Sequence, residues 1–151
     1  MFASHCARHS SIYHHVNTMG DLMNQLYIAD DNTDFAKYVA RVASSGGWEV
    51  ETCENGRALL ERLATGDGPA FLLIDINMPE MDGIEAIEGL AELDRPLRLR
   101  FITGGTDAAI LAAKMIAQAR NLTVGRNVYK PIGKQDLTTL LHEEAEALEA
   151  L

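Results

Sequence analysis

The apolar positions of this chain change period as it is read, from two to three or four and back again. From Leu26 onward, LYIA (26–29), WEVETC (48–53), residues 70–75, LRLRFIT (97–103) and LTVGRNVY (122–129) carry the short runs or alternation of strands. The segments between them have helical spacing. DFAKYVARVASSGG (34–47) sets Phe35, Tyr38, Val39 and Val42 on one face, and Gly46-Gly47 stops the helix. Residues 55–65 place Ala58, Leu59, Leu60 and Leu63 together and end at the turn Gly66-Asp67-Gly68. Ile84, Ile87, Leu90 and Leu93 mark a third helix that stops before Pro96. Residues 107–120 and 134–150 supply the last two. Five strands alternating with five helices predict an α/β fold, a doubly wound parallel sheet with helices on both faces. Ligands of such sheets bind beyond the carboxyl ends of the strands.

Polar residues gather at those ends. The first strand runs into Asp30 and Asp31. FLLIDINMPEMDG (71–83) carries a buried apolar run onto Asp75. The fourth strand ends on Thr103, before Gly104-Gly105, and the fifth on Lys130, before Pro131. Three carboxylates, a hydroxyl and an ammonium are thus expected at one sheet edge. Carboxylates this close raise one another's pKa. A hard divalent cation removes the conflict, and Mg²⁺ (or Mn²⁺) suits a site with few carboxylates and several waters. Lys130 and Thr103 are placed to meet phosphoryl oxygens, and the two glycines leave room for the group to enter. These are the parts phosphoryl transfer needs.

Charge and composition narrow the setting. A formal net charge of −9 on 151 residues argues against nonspecific nucleic-acid binding. No apolar run approaches a membrane span, and the N-terminus lacks a secretory h-region. The two cysteines, Cys6 and Cys53, read as free thiols of a cytoplasmic protein. Residues 1–20, with His5, His9, His14 and His15, read as a disordered extension and residues 21–151 as a single domain. Asp30, Asn32 and Asp34 imitate the start of a calcium loop, but Phe35 stands where that loop needs Gly and Arg41 where it needs Glu. Glu143, Glu144, Glu146 and Glu149 read as a solvated helix face, and Met78 and Met81 as packing residues.

YIADDN, LLIDINMPEMDG, FITGG and VYKPI, in this order on these strands, resemble the receiver domain of two-component response regulators, from about Leu26 to Leu141. The resemblance implies the flavodoxin-like strand order 2-1-3-4-5, with Asp75 as phosphoacceptor. It implies Asp31 as a direct Mg²⁺ ligand beside Asp75, Asp30 as a ligand through water, and the backbone carbonyl of Asn77 as a further ligand. Thr103 and Lys130 would be the phosphoryl-binding and switch residues, and the Lys130-Pro131 bond would be cis. The phosphoryl donor would be a histidine kinase or phosphotransfer protein, and the listener an unnamed protein target. The chain ends soon after its last helix, so no output domain is expected, nor enzymatic activity beyond weak self-dephosphorylation. A phosphate sink or shuttle, and a phosphorylation-independent binding module, are the alternatives. Position 127, where many receivers carry an aromatic switch residue, is Asn127, and Tyr129 adjoins Lys130. These two residues are therefore the candidates for an altered relay. A small-molecule phosphatase would need an acid at position 77, which Asn77 does not supply.

Overall fold

The structure, a computed structural model, describes residues 6–9, 23–78, 83–105 and 107–151. Its elements in chain order are β1 (Cys6–His9), β2 (Gln25–Ala29), α1 (Thr33–Ser45), β3 (Glu49–Cys53), α2 (Gly56–Ala64) and β4 (Ala70–Asp75). They continue with α3 (Gly83–Ala91), β5 (Leu97–Thr103), α4 (Asp107–Ala119), β6 (Thr123–Val124), β7 (Val128–Tyr129) and α5 (Lys134–Glu149).

Strand alternation sorts the core into two layers. Tyr27, Ala29, Leu72, Ile74, Leu99 and Phe101 face α2, α3 and α4, meeting Leu59, Ile87 and Ile110 among others. Leu26, Ile28, Phe71, Leu73 and Ile102 face α1 and α5, meeting Val39, Leu137 and Leu141. Both faces of β4 are covered, and all six of its residues are buried, which is why its sequence is a continuous apolar run. The order is β1-β3-β2-β4-β5-β6, with β7 also on β5, and every pairing from β3 onward is parallel. This is the expected 2-1-3-4-5 arrangement. Helix entries are set locally. The Asn32 side chain accepts from Phe35 N and the Asn55 side chain from Ala58 N, so each closes an N-terminus. Gly46 caps α1, and Gly47 follows at φ 92°, a conformation that favours glycine.

Three findings depart from the sequence reading. First, Cys6–His9, within the segment read as disordered, pair antiparallel with β3. The outer edge of β3 leaves backbone groups open to such pairing. Cys6 lies opposite Cys53 in the register, and Cys53 is disulfide-bonded rather than a free thiol. His5, His14 and His15 lie outside the described residues, as does Met81; Met78 is buried. Second, the fifth strand is two short pieces. At the break Gly125 N donates to Leu99 O at 2.8 Å. A Cβ on Gly125 would lie 3.0 Å from Arg100 Nε and 3.3 Å from Glu144 Oε2. The backbone here passes directly over an ion cluster, and a side chain at this position would crowd it.

That cluster is the third departure. Arg98 and Arg100 point from β5 to the α5 side, where their register partners on β4, Phe71 and Leu73, are apolar. Glu144, expected in solvent, is 1% exposed and answers both, at 2.7 Å to each Nε. The more exposed Glu143 takes Arg100 Nη2 at 3.2 Å. Among the described residues no helix is long and apolar enough to cross a membrane.

Removing Glu144 would break the ion pair of the partly buried Arg98 and leave Arg100 with the more exposed Glu143. Glu144→Ala should therefore cost about 3 kcal/mol of unfolding free energy in urea denaturation. Glu149→Ala, on the exposed face of the same helix, should stay within about 0.5 kcal/mol of the parent.

Candidate functional site

The carboxyl ends of β2, β4, β5 and β7 converge, and each delivers one of the expected residues. Asp30 follows β2. Its N–H donates to Cys53 O at 2.9 Å, and its Oδ1 accepts from Asn32 N at 2.8 Å. This tight turn buries Asp30, while Asp31 beside it is exposed. Asp75 closes β4 in register with Ile102 and is buried; its Oδ1 accepts from the N–H of the exposed Asn77 at 2.9 Å. Residues 79–82 of the following loop lie outside the described residues. Asp30, Asp31 and Asp75 each offer an oxygen, all within 4.8 Å of one another.

Lys130 enters this group from the end of β7. Its N–H donates to Thr103 O at 2.9 Å, which fastens the strand end to β5. Its Nζ lies 2.8 Å from Asp30 Oδ2 and 3.3 Å from Asp75 Oδ2. The approach to Asp30 is the closer of the two, so the ammonium is paired first with that buried oxygen. The peptide bond from Lys130 to Pro131 is cis. Thr103 is buried, and its Oγ1 accepts from Gly105 N at 2.9 Å, which leaves the hydroxyl proton available to donate. Gly104 passes Lys130 so that a Cβ would only touch the lysine stem, at 3.9 Å.

The two proposed relay residues sit apart from the acids. Asn127 Nδ2 donates to Tyr129 Oη at 3.3 Å, and Tyr129 is 45% exposed. Tyr129 is nevertheless the register partner of Thr103, so the aromatic side chain leaves the backbone beside the hydroxyl. Sequence reasoning overlooked Phe35 as a neighbour of the site. Its ring centroid lies 4.7 Å from Lys130 Nζ. No local signal announces the contact, because Lys130 lies 95 residues further along the chain.

The electrostatics follow from burial. Asp75 has its carboxyl pKa raised above the ordinary 3.8, first by burial; the Asn77 N–H opposes this, the Asp30 charge adds to it and Lys130 again opposes. Burial pulls the Lys130 ammonium down, but its pairing with Asp30, and then Asp75, outweighs this and holds its pKa above 10.5. When all three acids are ionised, one ammonium faces three negative charges. The donor set therefore suits a hard divalent cation.

The profile of the response regulator receiver domain matches residues 26–142. The chain belongs to the response regulator receiver family. The receiver protein CpdR of Brucella abortus (strain 2308) is 35% identical over 88 residues, which cover 58% of this chain and 72% of CpdR. A receiver protein of Anaeromyxobacter sp. (strain Fw109-5) is 38% identical over 95 residues, 61% of this chain but 39% of that protein. The match thus spans well under half of that relative. The crystal structure of a CheY-like receiver domain protein from Methanospirillum hungatei JF-1 superposes with a TM-score of 0.73 at 21% identity. It covers 85% of this chain and 98% of that one, and is similar in fold.

The raised pKa of Asp75 gives this receiver a pH signature. A raised carboxyl pKa means that the native state binds the proton more tightly than the unfolded chain. The stability contributed by Asp75 is therefore present below pH 3.8 and lost as pH rises through its native pKa. Asp75→Asn avoids that loss. In metal-free buffer its stability advantage over the parent should grow as pH rises from about 4 to about 7, read by urea denaturation. A constant difference across this range would contradict the assignment.

Proposed function

We propose that this receiver is a cytoplasmic phosphoacceptor response regulator of a two-component phosphorelay, accepting a phosphoryl group on Asp75 and switching a protein-interaction surface. The observation that carries this reading is the meeting of Asp30, Asp31 and Asp75 within 4.8 Å, with Lys130 Nζ 3.3 Å from Asp75 Oδ2. An acid at the end of a buried, rigid strand is held in place for in-line attack. The donor is a phosphohistidine of a histidine kinase or phosphotransfer protein. An Asp75 oxygen bonds to phosphorus as the P–N bond breaks, and the electron pair leaves with the imidazole nitrogen. Lys130 then shifts its pairing to a phosphoryl oxygen, and the Thr103 hydroxyl turns its proton to another. Later, water attacks phosphorus, the P–O bond to Asp75 breaks, and inorganic phosphate and the free carboxylate remain. Asn77, an amide where a general acid would speed this step, keeps self-dephosphorylation weak.

The residues that would hold a divalent ion are Asp31 and Asp75 directly, Asp30 through water, and Asn77 by its backbone carbonyl. Bound Mg²⁺ or Mn²⁺ supplies charge neutralisation for phosphoryl transfer. The same ion would stabilise the fold by mass action, by about 2.7 kcal/mol at a hundred times its dissociation constant. The downstream listener is a protein, since an acidic chain of net charge −9 is repelled by nucleic acid.

Incubation with a small phosphodonor and Mg²⁺ should give an acid-stable, base-labile phosphate on the parent protein. Asp75→Ala should abolish it, EDTA should suppress it, and Mg²⁺ should raise the Tm of the parent but not of Asp75→Ala. An unlabelled parent, or labelling that survives Asp75→Ala, would refute the proposal.

A further inference from the structure

The ammonium of Lys130 has a third neighbour that the phosphoacceptor chemistry leaves unused. Nζ sits 2.8 Å from Asp30 Oδ2, 3.3 Å from Asp75 Oδ2 and 4.7 Å from the centroid of the Phe35 ring. Two carboxylates and an aromatic face thus share the charge, the ring within cation–π range. Phe35 is itself held. Its N–H donates to the Asn32 side chain at 3.1 Å, and it packs against the α1–α5 core layer. Its ring meets that of Tyr38 at 6.4 Å. Tyr38 then donates from its hydroxyl to Ile132 O at 3.0 Å, two residues past Lys130. Helix α1 therefore grips the lysine turn twice, once at the ammonium and once at the backbone.

The chemistry gives this grip a purpose. A lysine side chain is a flexible stem carrying a compact charge. With two acids in reach, the ammonium is free to settle on Asp30, the closer partner, and away from the reacting atom. An aromatic face attracts the cation without offering a hydrogen-bond acceptor, so it restrains position while leaving the N–H groups free. We propose that Phe35 is a positioning residue for Lys130, holding the ammonium where an incoming phosphoryl oxygen meets it. This rests on the phosphoacceptor reading above.

Two measurements test it. In the NMR spectrum of the unphosphorylated protein, the Lys130 ε-CH₂ protons should be shifted upfield by the ring current in the parent and in Phe35→Tyr, and not in Phe35→Leu. This arm needs no phosphoryl transfer, and an unshifted signal in the parent overturns the geometry. In the second arm, labelling by phosphoramidate with Mg²⁺ is timed for each variant. Phe35→Leu keeps apolar bulk but loses the ring, and should slow labelling about fivefold, the range of a partly exposed cation–π contact. Phe35→Tyr should restore the rate. In a Lys130→Ala background, Phe35→Leu should have no further effect, because the two residues act as one unit. Equal rates in the parent and Phe35→Leu, or an undiminished effect without Lys130, overturn the proposal as a matter of packing alone. A parent that takes no phosphate refutes the phosphoacceptor reading instead, and the NMR arm shows which of the two has failed.

Discussion

Negative charge buried at a sheet edge must be answered, and here Lys130 answers it. Asp30 and Asp75 are both buried by the strands that present them, and burial penalises the charged form of each. Lys130 reaches both oxygens from the end of β7. Much of the surrounding structure keeps that reach intact. The backbone bond from Lys130 to Thr103, the bond from Tyr38 to Ile132 and the passage of Gly104 past the lysine stem all bear on one side chain. The compensation is incomplete, because one ammonium cannot neutralise three carboxylates. That deficit leaves the edge with an excess of negative charge.

A second charge problem is solved within the fold and has no counterpart at the site. Arg98 and Arg100 occupy positions of β5 where an apolar residue would pack against α5, and Glu144 fills the gap between them. Such a group is a weak source of net stability compared with well-packed hydrocarbon. Its geometric consequence is larger. It ties α5 to β5 at two arginines, and the chain above it passes so near that a Cβ at Gly125 would crowd Arg100 and Glu144.

The fold was legible because the hydrophobic period changes cleanly at each element. FLLI before Asp75 could only be a strand covered on both faces, and Phe35, Tyr38, Val39 and Val42 trace one helical stripe. The site was legible because its acids, hydroxyl and lysine lie at strand ends, which a parallel sheet necessarily brings together. What was missed depends on partners distant in sequence. Glu144 carries no mark distinguishing it from Glu143 or Glu149 until β5 supplies two arginines beneath it. The pairing of Cys6–His9 with β3 joins segments separated by some forty residues, with no turn signal to announce it. The break in the fifth strand was hidden for the same reason. LTVGRNVY has good strand composition, and only the ion cluster below Gly125 interrupts it.

That interruption has a mechanical consequence. β5 is seven residues long and pairs with β4 along six of them, so it behaves as part of a rigid slab. β7 pairs with β5 through only Ile102↔Val128 and Thr103↔Tyr129, and a glycine-led gap separates it from β6. β6 is joined to β5 by an equally short ladder, Arg98↔Thr123 and Leu99↔Val124, so the fifth strand is two separate two-residue pieces rather than one continuous strand. The exposed Tyr129 ring and the Lys130 ammonium therefore share one short piece of chain, which joins the acid cluster to the molecular surface.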